Sequence, residues 1–89
     1  VAEEEGNDMG TWAAYLEKRD PEKNQYRFYA LCVMPTLFGG WSLMREWGRI
    51  GSPGQVLVEW FDTLEEGQAA LARWAHRKRR RGYDPVGGG

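Results

Sequence analysis

The chain has one cysteine, Cys32, and one histidine, His76, among its 89 residues. A single cysteine excludes an internal disulfide framework and a cysteine-rich zinc site. A single imidazole leaves Ser–His or Cys–His catalysis only His76 to use, and neither His76 nor Cys32 has a companion at metal-ligand spacing. Apolar runs are a few residues long, far below the ~20 needed to cross a bilayer as a helix. No basic segment followed by an apolar stretch marks a secretory signal. No glycine-rich phosphate loop precedes a helix: FDTLEEG lacks both the glycines and the lysine, and GRIGSPG lies between two strand-like stretches. The neighbouring carboxylates Glu65/Glu66 and Glu59/Asp62 supply no acid–base pair, since the first two open a helix. These absences lead to the expectation of a chain that is not an enzyme, carries no cofactor or metal, and works off the membrane in a reducing cytoplasmic or nucleoid setting.

What the chain does have is aromatic side chains and an uneven charge distribution. Five Trp, four Tyr and three Phe supply much of a core that must be small, because a chain of this length buries only about 60% of its unfolded surface. Twelve Lys and Arg against thirteen Asp and Glu give a formal net charge of −1, which by itself argues against a uniformly basic nucleic-acid binder. The average conceals a division. Residues 1–22 hold seven acids and two bases, net −5; residues 23–89 hold six acids and ten bases, net +4. Five of those bases are consecutive, Arg77, Lys78, Arg79, Arg80 and Arg81.

Residues 1–10 are acidic and without apolar period, and are expected to be a disordered leader; residues 87–89 form a flexible glycine tail, leaving 11–86 as one domain. Four aromatic and β-branched stretches bounded by turn residues predict strands. The first is Thr11–Glu17, ended by the charged KRDPEKN segment; the second is Tyr26–Met34, ended by Pro35. The third is Trp41–Trp47 and the fourth Gln55–Phe61. The second is apolar on both faces, Tyr26, Phe28, Ala30, Cys32 and Met34 against Tyr29, Leu31 and Val33, as a central strand is. Short connections favour antiparallel pairing. Thr63-Leu64-Glu65-Glu66 is a capping box that starts a helix, and Gly82 suits its end. Leu64, Leu71, Ala75 and the stem of Lys78 fall on one side of it, with Trp74 at the margin, and Arg73, Arg77 and Arg80 fall opposite. The fold class expected is α+β: a small antiparallel sheet of about four strands with one C-terminal helix on one face.

Trp47-Gly48-Arg49, with the preceding YRFYAL strand, the stretch PTLFGGWSLMREWGRIG, the helix start FDTLEEGQAAL and the KRRRGY end, resembles the WGR domain. That module occurs in poly(ADP-ribose) polymerases and in bacterial proteins, and the resemblance covers about Thr11 to Pro85. It implies an antiparallel sheet with one packed helix and a non-catalytic role in binding DNA at ends or breaks. The position of the signature Trp, which stacks on a terminal nucleotide, is Trp47. The signature Arg, which joins DNA and neighbouring domains, is Arg49. No partner domain for that second role is visible in this chain.

The residues themselves leave two readings of each feature. Trp47 either stacks on a nucleotide or continues the Trp41, Leu43 alternation into the core. The Arg77–Arg81 run is either a phosphate footprint or a solvated face that complements the helix dipole. Trp47, Gly48 and Arg49 with Arg45, Arg77, Lys78, Arg79, Arg80 and Arg81 are the expected DNA-binding set, on a monomer. A protein partner docking through the WGR loop is the alternative. Tyr29 is explained by core packing, and Lys23 and Asn24 by the turn. Trp12, Trp41, Trp60 and Trp74 are assigned to the core, Cys32 is expected as a buried small apolar residue and His76 as an exposed helix residue.

Overall fold

The structure, a computed structural model, describes residues 12–86, so the acidic leader and the glycine tail lie outside the described residues. Strands β1 (Ala13–Asp20), β2 (Gln25–Pro35), β3 (Trp41–Arg49) and β4 (Gln55–Phe61) are followed by helix α1 (Leu64–Arg80) and a two-residue strand, β5 (Asp84–Pro85). They form one sheet in the order β4-β3-β2-β1-β5, every pairing antiparallel, with α1 across one face. β2 is central, as its two apolar faces require.

Alternation decides what the helix covers. Ala14 and Leu16 of β1, Tyr29, Leu31 and Val33 of β2, and Leu43 of β3 point toward α1 and meet Ala70 and Leu71. Leu43 is fully buried and Leu16, Leu31, Val33 and Tyr29 nearly so. Gly67 is also buried: a Cβ there would stand 3.3 Å from a Val33 methyl, so glycine lets the helix approach β2 closely. The helix starts as its sequence demands, Thr63 Oγ1 accepting from Glu66 N at 3.1 Å while Glu66 Oε1 accepts from Thr63 N at 3.3 Å. It ends at Gly82, whose φ of +97° is readily adopted by glycine alone. The reversal there lets Tyr83 N donate to Lys78 O at 3.1 Å and brings the chain back to pair with β1.

Five expectations are corrected. β1 does not stop at Glu17; Lys18, Arg19 and Asp20 stay in the ladder because Arg27, Tyr26 and Gln25 stand opposite them, and the turn is confined to Pro21–Asn24. β3 continues through Gly48 and Arg49, so the signature lies on a strand and not on a loop. β5 adds a fifth strand too short to carry a sequence pattern. Trp60 is 71% exposed, because its alternation parity turns it away from the helix to the bare side of the sheet. Cys32, on the same side, is half-buried rather than enclosed, whereas His76 is exposed as expected.

Candidate nucleic-acid interface

The pairing registers assemble the site from three strands. On the helix-facing side, Leu16, Tyr29 and Trp47 form one row across β1, β2 and β3; Lys18, Arg27 and Arg49 form the next. The second row lies past the last buried row, toward the helix C-terminus, and Lys78 reaches down from that end of α1. Its ammonium nitrogen is 4.7 Å from the centre of the Tyr29 ring and 5.5 Å from that of Tyr83. A cavity of about 500 Å³ opens here, lined by Tyr26, Arg27, Trp47, Gly48, Arg49, Lys78 and Tyr83 together with Asn24 and Gln25.

Three like charges side by side on adjacent strands repel one another. The described residues hold two ion pairs, Arg19–Glu17 and Arg45–Glu59, and neither engages Lys18, Arg27, Arg49 or Lys78. Aromatic faces stand in for acids: Arg49 lies 5.5 Å from the Tyr26 ring centre and Lys18 6.0 Å from that of Tyr83. Burial pushes the Lys78 ammonium below the ordinary lysine value, and the positive charges of Arg81, Arg45, Arg27 and Arg77 push the same way. Among the described residues the cleft is thus a wall of rings holding cations with no anion of their own.

Trp47 is half-buried. Its ring stacks on Tyr29 at 6.0 Å between centres, and it packs against the core while lining the cleft. The following backbone is fixed by the loop behind it. A Cβ on Gly54 would fall 2.5 Å from Trp47 O, and one on Gly48 would fall 3.1 Å from Gly54 Cα. Glycine at 54 lets the Ile50–Gly54 loop lie this close to the strand, and a side chain at 48 would press on the same loop. Ile50 N donates to Tyr26 O at 2.8 Å, tying the same loop to β2.

Arg45 is placed differently from a surface phosphate contact. It points under α1 with its side chain 11% exposed, its guanidinium carbon 3.9 Å from the Trp74 ring centre and 5.7 Å from that of Trp47. Its Nη1 donates to the Tyr29 hydroxyl at 3.0 Å, and its Nε is 3.6 Å from Glu59 Oε1. Its role here is to brace Trp47 and Trp74 from within.

The basic run divides. Lys78 belongs to the cleft, whereas Arg77, Arg80 and Arg81 line a separate open groove of about 500 Å³ with Arg73 and His76. Helical geometry puts Arg80 about 200° from Lys78, so these side chains leave nearly opposite sides of α1. Arg79 is exposed, and the Arg77 guanidinium rests 4.9 Å from the Trp74 ring centre. The expected DNA-binding set left out Lys18, Tyr26, Arg27 and Tyr83. Alternation placed Arg27 beside Tyr29, but joining it to Lys18 and Arg49 requires the register of three strands. Among the described residues no group of three or more His, Cys, Asp and Glu converges to hold a metal.

Residues 12–89 match the WGR domain family. A protein of Sinorhizobium fredii (strain NBRC 101917 / NGR234), an uncharacterized protein designated y4dW, is 42% identical over 71 residues, which is 80% of this chain and 35% of that one. The chain therefore spans about a third of the length of that relative. No solved structure matches it. With the signature on β3, the preceding aromatic strand and the packed helix all in place, the chain belongs to the WGR-domain family.

Proposed function

We propose that this domain is a non-catalytic module that binds DNA at ends or breaks with little sequence preference. The observation that carries the reading is the cross-strand row of Lys18, Arg27 and Arg49, joined by Lys78 over an aromatic-walled cleft and without an acidic partner among the described residues. An anionic backbone relieves the repulsion in that row, and each phosphate neutralised releases counterions. Trp47 and Tyr26 offer ring surface to a base or sugar exposed at a terminus, an interaction worth about 1–3 kcal/mol per base. Rings and point charges read no base edges, which is why sequence preference is weak. The groove of Arg73, Arg77, Arg80 and Arg81 adds long-range attraction for the same polyanion.

The test compares binding to nicked or 5′-phosphorylated linear duplex with binding to an intact closed circle at low salt. The wild type binds the broken substrates more tightly, and Trp47→Ala and Arg49→Ala each remove that preference. Arg49 is exposed, so its variant keeps the fold even if loss of the half-buried Trp47 ring disturbs it. Equal affinity for all substrates, or unchanged affinity in Arg49→Ala, would overturn the reading.

A further inference from the structure

The side of the sheet away from α1 breaks the rule that an antiparallel sheet covered on one face alternates to polar residues on the other. Three successive rows there read Met34, Ser42, Trp60; then Ala13, Cys32, Met44, Val58; then Tyr15, Ala30, Glu46, Val56. Tyr15, Met34, Val56 and Trp60, four of the large apolar residues that stand exposed, all lie on this side. Among the described residues no helix or strand covers these rows. Beyond the third row the face is closed, since Phe28 is buried between the Tyr15 ring and Gly54 of the returning loop. An apolar layer of this kind ordinarily packs against another layer.

We propose that this face packs against the same face of a second copy of the chain, sheet on sheet about a two-fold axis near Cys32 and Met44. Charge placement selects a like partner. Glu46 is the one Asp, Glu, Lys, Arg or His in the three rows and sits in the row bordering the closed end, while Glu17 and Arg19 beyond it are paired with each other at 3.0 Å. Two such faces therefore meet apolar on apolar, with no like charges opposed at the centre. Strands spaced about 4.8 Å apart make the bare field roughly 400 Å² per copy, about half the area each partner gives to a standard interface. The dimer is accordingly weak and depends on concentration. It leaves the cationic cleft on the opposite side of the sheet free.

Sedimentation equilibrium on the full chain, from roughly 10 μM to 1 mM, tests this. The mass is expected to rise from 10.2 kDa toward twice that value. Trp60→Lys and Val56→Lys, both at exposed positions, should hold it at the monomer value while circular dichroism and DNA binding stay unchanged. A short bifunctional thiol reagent should join the single cysteine, Cys32, of two copies, because packed sheets stand ~10 Å apart. In a dimer formed through the β4 edges the two Cys32 would be separated by five strand spacings, roughly 24 Å, and would not be joined. A constant 10.2 kDa across the range, a mass rise that both lysine variants retain, or a dimer in which Cys32 is not joined would each overturn the proposal.

Discussion

The two ends of the helix-covered face use the same strands and the same alternation, yet one is core and the other is a cleft. At the Trp41 end, Val33, Leu43 and Phe61 close under Gly67, Ala70 and Leu71, and Trp12 packs edge-on against Trp41 at 5.4 Å. At the Arg49 end, the positions in phase with Leu16, Tyr29 and Trp47 are Lys18, Arg27 and Arg49, and no part of the helix lies across them beyond the Lys78 side chain. One step of the pattern, two positions along each of three strands, changes the row of Leu16, Tyr29 and Trp47 into a charged one. Stability and binding should therefore separate along the sheet.

The largest expected effect is at the core end. Leu43→Ala leaves a cavity at a fully buried position and should cost about 2–5 kcal/mol in urea denaturation. That is a large share of the stability of a domain this small, while the DNA affinity of the molecules that remain folded should not change. At the other end, Arg27→Ala and Arg49→Ala should each reduce the salt dependence of DNA binding by about one phosphate contact. Their stability should match the wild type or slightly exceed it, since each removes a like-charge opposition. If these variants lose stability as Leu43→Ala does, the two ends are not the separate regions described.

Lys78 gives a smaller, pH-dependent effect. Its folded pKa lies below that of the unfolded chain, so between the two values the unfolded state binds more protons and stability rises with pH. A bound phosphate favours the charged ammonium and draws the value back up. DNA affinity should consequently be greatest below the lowered value and fall as pH climbs through it. Lys78→Arg, which keeps the charge, should flatten that fall in a fluorescence anisotropy titration from neutral to alkaline pH.

The smallest effect concerns the acidic segment 1–10. It joins β1 at the Trp41 end, and five residue steps at about 3.3 Å each, from Ala13 to Lys18, separate that junction from the cationic row. This distance is about two Debye lengths at physiological salt. Deleting the segment should raise DNA affinity modestly at low salt and not at all at physiological salt. A large rise at both would show that the segment reaches the cleft.

How much of this the sequence could reveal follows from which features are local. The capping box at Thr63, the stop at Gly82 and the central position of β2 each depend on neighbouring residues or simple alternation, and all three are found as read. Lys18, Arg19 and Asp20 look like a loop until a partner strand stands opposite, because charge in a strand is tolerated only where the covering layer ends. Arg45 reads as a surface cation, since hydropathy takes no account of a guanidinium held between Trp74 and Trp47. Trp60 reads as core because Trp generally is; its exposure follows from parity on an edge strand. The cleft was half legible: Trp47, Arg49 and Lys78 were named, and Lys18 and Arg27 needed strand register to join them.

A residue-resolved chemical-shift titration with a short 5′-phosphorylated duplex tests the central claim most directly. The account predicts perturbations concentrated on Lys18, Tyr26, Arg27, Trp47, Arg49 and Lys78, weaker shifts along Arg73, Arg77, Arg80 and Arg81, and none at Leu43 or Trp60. Shifts absent altogether, or spread evenly over both ends and both faces of the sheet, would contradict it.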